Sequence, residues 1–209
     1  MERAFTSSPL SAVMSDLAAR TPAPGGGGAV AIAAATGAAT VQMAVAFSAK
    51  AMREAAEAPS HAETIKRLET QRRELLASAD RDAEAFERLQ DAQRLAKETG
   101  EASSDDVEQA SRACIGVPRD QLRISMDILR LAAELAKVTN PRLASDLAIG
   151  AVLAEAAVNA AAWNIRVNLG LLRDESVAAS IREQTDREIA EAMRLRTQVA
   201  EVCQRRSGG

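Results

Sequence analysis

Apolar residues along most of the chain recur at the three- and four-residue spacings of amphipathic helices, and no segment alternates with the two-residue period of a strand. The first helical pattern covers residues 8–19. Residues 98–106 form the one clear polar loop, and Gly116 to Pro118 predicts an interruption in the helix that follows. The pattern predicts an all-α protein, an up-and-down bundle of long helices with a single domain over residues 1–209.

Residues 21–49 depart from this pattern because they carry no charge at all. Pro22 and Pro24 end one helix, the glycines from Gly25 to Gly28 free the backbone, and an Ala-rich helix then begins with its amides directed at the loop. Such a start can hold an anion, although the same sequence can also serve only as a cap. The segment is small and weakly apolar, which favours the central helix of a bundle over a membrane span.

Composition excludes several classes of function. The formal net charge is -3, so the chain lacks the excess of basic residues that is typical of a nucleic-acid-binding protein. One histidine and two separated cysteines, Cys114 and Cys203, supply too few ligands for a zinc site, so no metal is expected. Free thiols and an N-terminus unlike a signal peptide predict a cytoplasmic protein.

Asp82 is out of place in the helix that contains it. It falls within an apolar stripe at helical spacing, formed by Leu75, Ala79, Phe86 and Leu89. Burial would raise the pKa of its carboxyl group, as a proton-transferring residue requires near neutral pH. The alternative is a structural aspartate that is satisfied by an arginine or a helix end.

Asp146 lies near the helix start at Asn140 and Pro141, where capping explains an acidic residue. Asn164 and Asn168 interrupt an apolar face further along the same helix, as residues that line a cavity can do. Asp146 and Asn164 would stand about 27 Å apart along a straight helix. They cannot share one small site within one subunit.

Several short motifs occur in a fixed order, namely Thr21 to Gly28, Asp80 to Phe86, Val117-Pro118, Ser145-Asp146 and Asn164 to Asn168. This ordered set resembles the cyclodeaminase/cyclohydrolase family over nearly the whole chain. The resemblance implies an all-helical homodimer that handles one-carbon groups on tetrahydrofolate, with no cofactor beyond that substrate. It implies no nucleic-acid or membrane partner.

The resemblance also implies roles for individual residues. Asp82 matches the aspartate to which the family's catalytic role is assigned, and the predicted substrate-binding residues are Pro24, Gly25, Gly26, Gly27, Gly28, Lys50, Arg53, Arg142, Ser145, Asp146, Asn164 and Asn168. Lys50, Arg53 and Arg142 are suited to the carboxylates of a glutamate tail, although Lys50 and Arg53 can equally be solvated surface charges.

The predicted reaction is hydrolysis of 5,10-methenyltetrahydrofolate to 10-formyltetrahydrofolate. The alternatives are a formiminotetrahydrofolate cyclodeaminase and a non-catalytic helical dimer that binds a folate-like ligand or a protein partner. The last alternative follows from a departure after the central helix, where the family's basic and aromatic cluster is reduced to Lys50 and Arg53 and Glu54 replaces the aromatic residue.

Overall fold

The computed structural model describes residues 8–56, 58–99 and 104–207, and within these ranges it is helical, without a strand. The prediction of an all-α bundle is confirmed. The helices are α1 (Leu10–Ala18), α2 (Gly26–Ala46), α3 (Ala49–Glu54), α4 (His61–Thr99), α5 (Ser104–Leu135), α6 (Ala144–Asn168) and α7 (Glu175–Ser207), with short 3-10 turns at Pro141–Leu143 and Leu169–Leu171.

Helix α2 is the central helix, as predicted, and contacts α4, α5 and α6. It runs antiparallel to α6, because Gly26 lies beside Asn164 while Gly37 lies beside Gly150. A Cβ atom added at Gly37 would come within 3.1 Å of the Gly150 carbonyl oxygen. Glycine at both positions therefore lets the two backbones cross closely, and small side chains keep the helices in contact along their length.

The predicted break at Gly116 to Pro118 is wrong, because α5 runs without interruption through Pro118. A proline removes one hydrogen bond from the helix but does not prevent both halves from packing. Here α5 contacts α4, α6 and α7, and it is hydrogen-bonded to its neighbours before the proline, at Cys114, and after it, at Gln121. Residues 100–103 of the predicted loop lie outside the described residues, and the rest of it is helical, because α4 extends to Thr99 and α5 begins at Ser104.

Two segments, Gly26–Ala46 and Pro141–Leu171, are long and apolar enough to cross a membrane by length and composition alone. In the structure they are the neighbouring helices α2 and α6, each partly buried against the rest of the bundle. Core helices of soluble bundles have the same composition, so a protein without a membrane partner stays the prediction.

Candidate active site

The candidate site lies at the first turn of α2. Ala29 donates the first described backbone hydrogen bond of this turn, to the Gly25 carbonyl oxygen at 3.2 Å. The amides of Gly26, Gly27 and Gly28 precede it and have no acceptor within the helix. They give this end of α2 a partial positive charge. Pro24 and Gly25 immediately precede this turn and therefore lie at the same end of the bundle.

Asp82 reaches this turn from the middle of α4. A Cβ atom at Gly27 would overlap the carboxyl carbon and both carboxyl oxygens of Asp82. Any residue other than glycine at position 27 would therefore displace the carboxyl group. Asn164 reaches the same turn from α6, and its Oδ1 lies 3.2 Å from the position of a Cβ at Gly26. Adjacent glycines thus admit one side chain each from two different helices.

The Asp82 carboxyl group is half-buried, and desolvation raises its pKa above the ordinary value. It makes no hydrogen bond or ion pair with another residue in the described part of the chain, so the arginine of the structural alternative is not beside it, whereas a helix end, the first turn of α2, is. A carboxyl group with a raised pKa keeps its proton to a higher pH than an ordinary one, and without a cationic partner it can attract a cationic ligand. Phe86 follows one turn later on α4 and is 39% exposed.

Gln121 of α5 supports this turn, and the sequence analysis did not single it out. Its side chain is fully buried, and its Nε2 donates to the Gly27 carbonyl oxygen at 3.0 Å and to Ser78 Oγ at 2.9 Å. Ser78 in turn donates to the Leu75 carbonyl oxygen at 2.6 Å. The sequence did contain a sign of this buried polar residue. Gln121, Ser125 and the buried Ile128 follow one another at helical spacing, so two polar side chains lie on a buried face of α5.

Asn168 has a structural contact at this end of the bundle. Its Nδ2 donates to the Cys114 carbonyl oxygen at 2.8 Å, which ties the end of α6 to α5. The Cys114 thiol donates to the Ala85 carbonyl oxygen at 3.3 Å. Burial, and next the charge of Asp82, raise the pKa of this thiol, which therefore stays protonated. Cys114 is thus a neutral neighbour of the carboxyl group.

The other predicted binding residues lie at the opposite end of the α2 and α6 pair. Ser48, just after α2, accepts a hydrogen bond from the Asn140 amide at 2.9 Å, which places the start of α6 beside the end of α2. The length of α2 separates this end from Asp82 by about 30 Å. The residues at this far end are Lys50, Arg53, Arg142, Ser145 and Asp146.

At the far end, Arg142 and Ser145 line a cavity of about 610 Å³ between the start of α6 and the end of α7. Arg206 also lines it and donates to the Ala136 carbonyl oxygen at 2.5 Å. Lys50 forms a 3.9 Å ion pair with Glu54, and both side chains are largely exposed. The chain therefore divides the predicted site residues between two ends, with Asp82 at one end (the acidic end) and Lys50, Arg53 and Arg142 at the other (the basic end).

Comparison with known proteins agrees with this arrangement of helices. A sequence profile described as formiminotransferase-cyclodeaminase matches residues 9–187. The chain belongs to the formiminotransferase-cyclodeaminase family. Within the family it is 30% identical to the methenyltetrahydrofolate cyclohydrolase of Methylorubrum extorquens, over 89% of this chain and 91% of that protein.

Other relatives in the formiminotransferase-cyclodeaminase family are longer. The formimidoyltransferase-cyclodeaminase of Gallus gallus is 30% identical over 91% of this chain, which spans only 36% of that protein. A crystal structure of the formiminotetrahydrofolate cyclodeaminase from Thermotoga maritima has the same fold, with a TM-score of 0.77, 24% identity and 98% of each chain covered.

Proposed function

We propose that this protein hydrolyses 5,10-methenyltetrahydrofolate to 10-formyltetrahydrofolate, with Asp82 as the catalytic residue. The observation that carries the proposal is the unpaired, half-buried Asp82 carboxyl group against the first turn of α2. The methenyl bridge is a carbon between two nitrogens that share a positive charge. A carboxylate without a cationic partner both attracts that charge and accepts a proton beside it.

Asp82 takes part in two proton transfers. Water attacks the methenyl carbon while Asp82 accepts one of its protons, which gives a neutral tetrahedral adduct. The bond from this carbon to one nitrogen then breaks as Asp82 returns that proton to the departing nitrogen, and the hydroxyl group loses its remaining proton to solvent as its oxygen becomes the formyl oxygen. Burial supports both transfers, because it raises the pKa of the Asp82 carboxyl group. The raised value lies closer to the pKa values of the groups that give and take the proton.

Sequence identity to a relative matched over its full length supports the cyclohydrolase reaction, because the relative named as a cyclohydrolase is 30% identical, whereas the cyclodeaminase crystal structure, at 24% identity, shows only the fold. The bacterial relative named as a cyclohydrolase is matched over 91% of its length, whereas the animal bifunctional proteins are matched over little more than a third. A cyclodeaminase would use the same carboxyl group to close a formimino group onto the second nitrogen and release ammonia. Both reactions act on a carbon between two nitrogens.

The experiment follows loss of methenyl absorbance at a pH where spontaneous hydrolysis is slow, with a parallel assay for ammonia from formiminotetrahydrofolate. We expect methenyl hydrolysis by the unmodified protein and a loss of about 10²- to 10⁴-fold in Asp82→Asn. Asp80→Asn, on the same turn of α4, is the matched control and keeps its activity. Binding of the folate without any acceleration would instead favour the non-catalytic dimer, and ammonia release would favour the cyclodeaminase.

The division of the site also leads us to propose a homodimer. Lys50, Arg53 and Arg142 lie too far from Asp82 of the same subunit to hold the tail of one folate. A two-fold axis across α2 and α6 would pair each helix with an antiparallel copy of itself, and would thereby bring the basic end of one subunit to the acidic end of the other. The glutamate tail would then bind across the subunit boundary.

The exposed sides of α2 and α6 suit such an interface. Helix α2 contains no charged residue, and α6 exposes the apolar residues Ile149, Val152, Ala156, Trp163 and Val167. A face about 30 Å long and two helices wide offers about 600 Å² per subunit. Two such faces bury about 1,200 Å² in total, which is the lower bound for a stable protein interface.

Light scattering after size-exclusion chromatography tests the dimer. Val152→Arg places a charge in the proposed interface, where Val152 is 50% exposed, and should give a monomer. Met193→Arg on α7 is the matched control, because Met193 is 55% exposed and outside the α2 and α6 face. A monomeric unmodified protein, or a dimer unaffected by Val152→Arg, would refute the proposed interface.

A further inference from the structure

The geometry around Gly27 assigns a positioning role to Gln121. Its side-chain amide holds the first turn of α2 in the position where the Asp82 carboxyl group contacts it. This inference rests on the proposed function of Asp82. The predicted residues that reach this turn from other helices lie on α4 and α6. Gln121 lies on a third helix, α5. Gln121 lies 94 residues from Gly27 and 43 from Ser78, so only the folded bundle brings the three together.

The hydrogen bonds of Gln121 specify how its amide is turned. The Gly27 carbonyl oxygen can only accept, so the group 3.0 Å from it must be the NH₂ end of the side chain. The second hydrogen of the same nitrogen is directed to Ser78 Oγ at 2.9 Å. Both donors of the amide are therefore used, one on α2 and one on α4.

One of these contacts is on the turn that Asp82 touches, and the other is on the helix that carries Asp82. Gly27 is the residue on which the Asp82 carboxyl group rests. Ser78 precedes Asp82 by four residues and therefore lies one turn away on the same side of α4. Gln121 thus links the surface that Asp82 touches to the helix that carries Asp82, and sets the distance between them.

The remaining polar atom of Gln121 takes no part in these contacts. Its Oε1 is buried and accepts no hydrogen bond in the described structure, and Gln71 on α4 has an Oε1 in the same condition. Gln121 therefore differs from Gln71 by the two bonds of its Nε2, to Gly27 and to Ser78.

The test compares Gln121→Leu and Gln121→Glu with Gln71→Leu. Gln71 is the matched control because it is also buried, also has an unpartnered Oε1, and lies on α4 about 16 Å before Asp82. We expect Gln121→Leu to lower kcat by about 100-fold, as a displacement near 1 Å does, with a much smaller change in KM. Gln71→Leu should leave both constants unchanged.

Gln121→Glu separates positioning from general destabilisation. When protonated, the new carboxyl group can donate to the Gly27 carbonyl oxygen and restore much of kcat. When ionised it cannot donate, and its charge opposes ionisation of Asp82. The pH profile of kcat should therefore gain a falling limb on the alkaline side that the unmodified protein lacks. An unchanged profile, or a kcat of Gln121→Leu equal to that of Gln71→Leu, would overturn the inference.

Carboxyl ¹³C NMR keeps the inference testable if the unmodified protein shows neither folate reaction, an outcome that would refute the proposed function by itself. The Asp82 signal is identified by its loss in Asp82→Asn. Its titration should move to higher pH in Gln121→Glu and stay in place in Gln71→Leu. Identical Asp82 titrations in all variants would show that Gln121 does not position this group.

Discussion

Replacement of Gly27 by alanine should separate the activity of this protein from its stability. The added methyl group would lie well within 3.0 Å of all three atoms of the Asp82 carboxyl group. Those atoms are the far end of a side chain that can rotate, whereas the α2 backbone is held by its neighbours. The carboxyl group therefore moves and the helix stays. Restoring an ordinary contact of 3.4 Å requires a displacement of the carboxyl group by about 1 Å.

Two effects on the free energy of unfolding nearly cancel in Gly27→Ala. Alanine stabilises a helical position by about 0.5–1 kcal/mol relative to glycine. A strained or less favourable rotamer of Asp82 costs about 0.5–1.5 kcal/mol. The net change should stay within about 1 kcal/mol, or about 2–4 °C in Tm for a chain of this size. A displacement of about 1 Å at the reacting group should meanwhile lower kcat by about 100-fold.

The measurement combines thermal unfolding by circular dichroism with the methenyl assay. Gly116→Ala is the control for helix propensity, because a Cβ there has no heavy atom within 4 Å. It should raise stability by about 0.5–1 kcal/mol and leave the activity unchanged. Full activity in Gly27→Ala would refute the dependence of catalysis on the Asp82 position. Loss of several kcal/mol would show that the backbone, and not the side chain, absorbs the overlap.

Three further outcomes follow from the same geometry. Because the folded state raises the Asp82 pKa, it binds more protons than the unfolded chain above pH 3.8, and Asp82 destabilises the fold as pH rises through the raised pKa. Chemical unfolding should therefore show Asp82→Asn to be more stable than the unmodified protein at neutral pH, by about 1.4 kcal/mol for each unit of pKa difference, with no advantage in strong acid. Gly150→Ala would place a Cβ 2.6 Å from Val41 Cγ2 and should cost about 1–3 kcal/mol in urea unfolding, and an unchanged midpoint would contradict close packing of α2 on α6. Mixing the weakly active Asp82→Asn and Arg142→Ala chains should restore kcat/KM in the mixed dimers, because one of their two sites combines both native residues, whereas absence of recovery would place both residues in one subunit's site.

Local geometry explains why the helices were predictable from the sequence. The position of Asp82 on an apolar stripe follows from the number of residues per helical turn, and the small residues of α2 are evident from composition. The order of the motifs also sufficed to recognise the family, which the profile match confirms. The predicted break at Pro118 was wrong because the cost of one lost hydrogen bond is local, whereas packing along the whole of α5 keeps its two halves in one helix.

The site itself depends on distances that no local rule supplies. Spacing identified both Asn164 and Asp146 on one helix, but only the antiparallel packing of α2 on α6 places Asn164 beside Gly26 and Asp146 at the far end. Gln121 could be recognised as a polar residue on a buried face, yet its contacts with Gly27 and Ser78 exist only in the bundle.

The sequence by itself therefore determined the all-helical fold, most of the helices, which of their faces are apolar and that a carboxyl group lies on one of those faces, because the backbone sets these relations within a few turns. The tertiary structure decided which of those faces meet. The close crossing at Gly37 and Gly150 brings the backbones together and so specifies which ends of α2 and α6 are neighbours. Packing of α4 against α2 places Asp82 at the glycine turn, and the contact of α2 with α6 holds the basic residues about 30 Å away from it within one subunit.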